Sequence, residues 1–114
     1  MTVERPTFHE AWRRVETCRL RLRSGVQTRR QRFRGRDWWI VEDPASNQYF
    51  RMNRPAYRFV GLLDGRRTVG EVWNACVQTM GDEAPTQGEA IQLLGQLYSS
   101  NLLSTTLAPG VSDG

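Results

Sequence analysis

A chain of 114 residues, 39% of them hydrophobic, suits one domain with a single core of ordinary size and leaves little room for a second. No run of about 18 apolar residues occurs, and the N-terminal eighteen residues are charged throughout, so the sequence reads as cytoplasmic, meeting a membrane only through a fused or partner protein. The net charge of +4 hides a division: all sixteen basic residues are arginines at or before Arg67, where seven acids leave +9, while five acids and no base leave −5 beyond it. A basic half implies an acidic partner, whether nucleic acid, membrane surface or acidic peptide, unless its arginines merely solvate exposed strands. Cys18 and Cys76 lie far apart and outside any CxxC spacing, which fits reduced thiols buried as small hydrophobes.

From Thr7 to Glu16, Phe8, Ala11, Trp12 and Val15 recur at helical spacing behind Thr7, predicting a short amphipathic helix. It is too short to stand alone and must lie on the domain or a neighbouring segment. Between Leu20 and Asn53 the texture turns to strands: Leu20 to Leu22 and Gln27 to Phe33, thick with arginine, then Asp37 to Glu42 around WWIV, then Gln48 to Met52. Arg34-Gly35-Arg36 and Asp43-Pro44-Ala45-Ser46-Asn47 supply tight turns, so three consecutive strands are expected as an antiparallel meander.

The period then switches to 3.6. Pro55 can occupy a first helical turn, with Tyr57, Val60, Leu62 and Leu63 as the apolar face and Gly65 as the stop. Thr68-Val69-Gly70-Glu71 reads as a capping box for a second helix, with Val69, Val72, Trp73, Cys76 and Val77 as its stripe up to Met80-Gly81. Thr86-Gln87-Gly88-Glu89 repeats the signature for a third, whose stripe is Ala90, Ile91, Leu94, Leu97, Tyr98 and Leu102 and which frays near Asn101. Leu103 to Leu107 reads as a short returning extended segment. The expected organisation is an N-terminal amphipathic segment over 1–18, one domain over 19–107 and a disordered tail or linker stump over 108–114.

The single histidine, His9, sits in the weakly packed first helix and reads as solvent-facing, so no histidine triad, zinc finger or HExxH site can be assembled. Gly61, Gly65 and Gly70 surround helices rather than following a strand in a phosphate-binding pattern. No catalytic residue, metal ligand, cofactor or small-molecule substrate is expected. The predicted fold is α+β and winged-helix-like, a three-stranded antiparallel sheet followed by three helices. Such an arrangement offers a helix to a DNA groove or a sheet edge to a peptide. The third helix, TQGEAIQLLGQLYSSN, contains no arginine or lysine, which disfavours nucleic acid. The Gln27 to Arg32 edge is defended by charge, whereas Gln48-Tyr49-Phe50-Arg51-Met52 is short, aromatic and singly charged, an edge able to accept a strand or to be covered by a loop. In the central strand, Trp38 and Ile40 point to one face and Trp39 and Val41 to the other; helices cover one, and the Phe8, Trp12, Val15 stripe is the nearest cover for the second.

The stretch RFRGRDWWIVEDPASNQYFRMNRPAYRFVGLLDGRRTVGEVW, followed by LLGQLYSSNLL, resembles the PqqD-like peptide chaperone and RiPP recognition element family over approximately Arg19 to Leu103. The resemblance implies that the leader segment of a ribosomally made precursor adds as a strand to the third strand, in the groove formed with the third helix. Carried across, it implicates Tyr49, Phe50, Arg51, Met52 and Asn53 on the strand and Leu93, Gln96, Leu97 and Ser100 on the helix. Arg51, with Arg54 or Arg58 nearby, would favour an acidic residue in the guest. A narrower resemblance joins FHEAWRRVETCRLRLRSGVQTRRQRFRG and DWWIVEDP to the N-terminal domain of bacterial site-2-type membrane zinc metallopeptidases associated with peptide maturation or export. Those proteins carry their metal motif downstream; this sequence has none and reads as an excised recognition domain or a stand-alone relative. The expected function is a peptide-binding recognition domain, not an enzyme, that presents a leader or substrate peptide to a modifying, cleaving or exporting partner in cis or trans. The alternatives are a winged-helix nucleic-acid binder and a docking or dimerising module of a larger membrane protein.

Overall fold

The computed structural model describes residues 10–105. Thr7, Phe8 and His9, the tail over 108–114 and the end of the terminal extended segment lie outside them. The fold is α+β. A three-stranded antiparallel sheet runs in the order β2 (Gln27–Phe33), β3 (Arg36–Asp43), β4 (Gln48–Met52). The β2–β3 turn places Arg34 (φ 52°) and Gly35 (φ 77°) in the left-handed region, the handedness that matches strand twist in a two-residue hairpin. In the β3–β4 turn the Asp43 carboxylate accepts hydrogen bonds from the Ala45 N–H (3.1 Å) and the Ser46 hydroxyl (3.0 Å).

The earlier strand, β1 (Leu20–Leu22), leaves this sheet and pairs antiparallel with β5 (Leu103–Thr105), Leu22 opposite Leu103. The returning segment therefore closes on the chain's own start. Three α-helices intervene: α2 (Arg54–Gly61), α3 (Val69–Met80) and α4 (Gln87–Ser99). Asn53 caps α2, its Oδ1 accepting from the Ala56 N–H at 3.0 Å, with Pro55 in the first turn where no donor is needed. Both capping boxes form: Thr68 with Glu71 on α3 and Thr86 with Glu89 on α4, each reciprocal. Val41, Phe59, Val69, Val72, Cys76, Leu97 and Leu102 are fully buried where the inner face of the sheet meets the helices. At the margins of the expected stripes, Val77 and Tyr98 are exposed.

The N-terminal segment corrects one expectation. Helix α1 (Trp12–Val15) does not cover the second face of the sheet; Trp12 is buried edge-to-face on Trp73 of α3, ring centroids 5.4 Å apart. The strap after it lies along the start of α3, where the N–H groups of Val69 and Gly70 donate to the carbonyls of Cys18 (2.8 Å) and Glu16 (2.9 Å). A helix cannot satisfy these first donors itself, so the strap completes α3. The second face of the sheet is shielded by arginine. Ile40 is buried yet stands apart from the main core, directly flanked in register by Arg29 and Arg51. The Arg51 guanidinium lies over the Trp38 ring at 4.6 Å, and Arg29 Nε bonds Glu42 Oε2 at 3.3 Å. Long arginine stems cover apolar surface while their heads stay in water, so among the described residues they take the place of a second layer.

Candidate functional site

β4 is an edge strand. One side of it pairs with β3, Phe50 opposite Val41 and Met52 opposite Trp39; among the described residues no strand pairs with the other side. Its free backbone donors and acceptors are therefore open to a further strand. Because side chains alternate across a strand, Phe50 and Met52 turn to the helical side and Tyr49 and Arg51 to the opposite face. Met52 is swallowed by the core, whereas half-buried Phe50 forms the floor of an open cleft of about 620 Å³. The far wall is α4, through Gln92, Gly95, Gln96 and Ser99, with Ser100 at its end. The spacing of 92, 95, 96 and 99 puts these residues on one helical face. Gly95 widens the cleft, since a Cβ built there would meet nothing within 4 Å.

The same α4 face continues toward its N-terminus through Glu89 and Leu93. These border a second cleft of about 290 Å³ with Asn53, Pro55, Ala56 and the loop Asp82 to Pro85. The loop is pinned by the Trp73 indole N–H, which donates to the Pro85 carbonyl at 2.8 Å. The wall that α4 presents to β4 is thus amide, hydroxyl and glycine. It holds no cation, and Glu89 already uses a carboxylate oxygen to accept from the Thr86 N–H at 2.9 Å.

The structure sorts the residues anticipated from sequence. Phe50, Gln96 and Ser100 come together in the larger cleft; Asn53 and Leu93 border the smaller one. Tyr49 and Arg51 stand on the outer face of the same strand. Leu97 is a correction: it is fully buried on the core side of α4 and cannot touch a guest, because the stripe that made it a helix former also carries it inward. The side chains of Met52 and Asn53 are likewise committed, one to the core and the other to the α2 cap, leaving their backbone at the edge. Arg54 and Arg58 line a separate cleft with Thr79, Met80 and Glu83 between α2 and α3. Gln92, Gly95 and Ser99 were missed, although their spacing about Gln96 was readable as a helical face.

Among the described residues, the two displaced ionisations lie outside this groove. Burial pushes the Cys76 thiol up, with the Arg58 charge opposing, and the N–H groups of Arg67 and Arg66 hold Asp64 below the usual carboxylate range. Among the described residues no cluster of His, Cys, Asp and Glu has the makings of a metal site, and no helix is long and apolar enough to cross a membrane.

The family described as coenzyme PQQ synthesis protein D (PqqD) matches residues 39–103, more than half of the chain. This chain belongs to the PqqD family. No curated protein and no solved structure matches it. PqqD domains are non-catalytic recognition elements that bind precursor peptides and associate with modifying enzymes. The PqqD match begins at Trp39 in β3 and ends at Leu103, so both walls of the groove lie inside it, while α1, β1 and β2 lie outside.

Proposed function

We propose that this PqqD-family chain captures a leader or substrate peptide as a strand added to β4, and presents it to a modifying, cleaving or exporting enzyme fused to it or acting in trans. The observation that carries the proposal is the open edge of β4 beside a cation-free face of α4. Main-chain hydrogen bonds along β4 give the guest its register, and alternate side chains give selectivity. One set of guest side chains enters the cleft over Phe50, against Gln92, Gly95 and Gln96, where small or neutral polar groups fit best. The other set lies beside Tyr49 and Arg51. Arg51 has no carboxylate partner among the described residues, so an acidic guest residue there gains a charge-assisted bond; Arg54 and Arg58 are placed too differently to share it. A few strand residues and one or two filled clefts support micromolar binding, about −8 kcal/mol after ordering costs.

Titration of isotope-labelled protein with synthetic leader segments from neighbouring short precursor genes tests this reading. The expected shifts cluster on residues 48 to 53 and on the 92 to 100 face of α4. Shifts confined to β2, or a saturating signal that bypasses α4, would reject the groove.

A further inference from the structure

We infer that the outer face of the β2–β3–β4 sheet docks on an anionic lipid surface, leaving the β4–α4 groove on the other side of the sheet free. Tyr49 and Arg51 border both this face and the strand proposed to be added to β4, so the docking is assigned to the hairpin end of the face, Arg29, Arg34 and Arg36 with Phe33, which no guest on β4 touches. In-register pairing puts Arg29, Arg36 and Arg51 on this face, and Arg34 stands at the tip of the β2–β3 hairpin beside it. The acid of the face, Glu42, is held by Arg29. Two exposed aromatic residues mark opposite corners. Phe33 pairs with Arg36 at the hairpin end and Tyr49 pairs with Glu42 at the far end, 48% and 67% exposed. The separation of Arg36 and Glu42 along β3 makes the face about 20 Å long.

Three features favour a flat lipid surface over other polyanions. Guanidinium groups match phosphate geometry, and amphipathic aromatics belong at the level of the headgroups, so the two residue types together are what an interface selects. The Trp38 ring is already roofed by Arg51 and Ile40 is shielded, while the exposed rings stand singly at the two ends of the face, Phe33 with the Arg34 guanidinium over it at 5.3 Å and Tyr49 at the far corner, too far apart for neighbouring bases to stack on both. Finally, Arg34 adopts a left-handed backbone where Asn, Asp or Gly is the usual choice, an unfavourable conformation that nevertheless keeps a cation at the tip. Arginine near anionic headgroups adds attraction residue by residue, and apolar contact through Phe33 supplements it.

Co-sedimentation of the whole chain with vesicles tests the inference, using phosphatidylcholine alone and phosphatidylcholine mixed equally with phosphatidylglycerol. The expected result is binding to the mixed vesicles only, weakening as salt rises. Charge reversal in R34E/R36E should lower the partition coefficient about tenfold or more while the melting temperature holds. If that double variant does not fold, R36Q and F33S provide the same comparison with smaller, several-fold losses. Equal partition into neutral and anionic vesicles, wild-type partition by the folded arginine variants, or tighter binding to a labelled oligonucleotide than to the mixed vesicles at the same ionic strength each overturns it.

Discussion

The N–H of Gly70 donates to the carbonyl of Glu16 over 2.9 Å, and a Cβ added at Gly70 would lie 3.2 Å from both that carbonyl oxygen and the Glu16 Cβ. The glycine lets the N-terminal strap lie directly on the first turn of α3. Replacement by alanine raises helix propensity but forces apart a pair held by its own hydrogen bond, so Gly70→Ala should cost about 1 kcal/mol in chemical denaturation. Gly61, where an added Cβ meets nothing within 4 Å, is the control: Gly61→Ala should be neutral or stabilising.

The strap also carries Trp12 into the core. Trp12→Ala opens a cavity against Trp73 and should lose about 3 kcal/mol or more, and removal of residues 1 to 18 should destabilise the domain further. An unchanged urea midpoint on truncation would show that the strap is dispensable.

Gly95 separates stability from binding. An added Cβ has free space, and alanine is the better helix former, so Gly95→Ala should raise stability by up to about 1 kcal/mol. Gly95→Leu places its side chain into the cleft over Phe50 and should weaken peptide binding at least tenfold with no loss of melting temperature. Equal affinity of the folded Leu variant and the wild type would move the binding site elsewhere.

Much of this was legible in the sequence because the signals were local. Both Thr-x-x-Glu boxes, Pro55 in a first turn and the Arg34-Gly35 hairpin specify their own geometry within four residues. Partners distant in the chain were harder to read. Trp12 had an apolar stripe that fits a sheet or a helix equally well, and only the folded chain shows that it meets Trp73. The same applies to β1: its LRL pattern allowed a place beside β2, but the returning β5 claims it. At the candidate site the strand was readable from its low charge, whereas the inner or outer placement of Leu97 depended on the rotation of α4, and an apolar residue at helical spacing reads as core or as pocket alike.

Asp64 Oδ1 accepts from the N–H groups of Arg66 and Arg67, each at 2.9 Å. These donors favour the ionised form, so the folded pKa lies below the unfolded one. The resulting stabilisation is complete above the unfolded carboxylate pKa and fades as pH falls through the folded value. Wild type should therefore melt above Asp64→Asn at neutral pH, and the gap should close in acid.

Cys76 is fully buried in the core with its thiol pKa raised by burial, while Cys18 is half-buried. Native protein should react with a thiol reagent slowly at Cys76, and the rate should jump only on unfolding. Fast native labelling of Cys76, read by peptide mass, would contradict the packing described.

The most direct test is amide hydrogen exchange along β4 with and without a binding leader peptide. Alternate N–H groups of Gln48 to Met52 point away from β3, and strand addition should slow their exchange markedly while the β2 edge keeps its free rate. Unchanged exchange of those amides at saturating peptide would contradict capture by strand addition, even if the peptide binds.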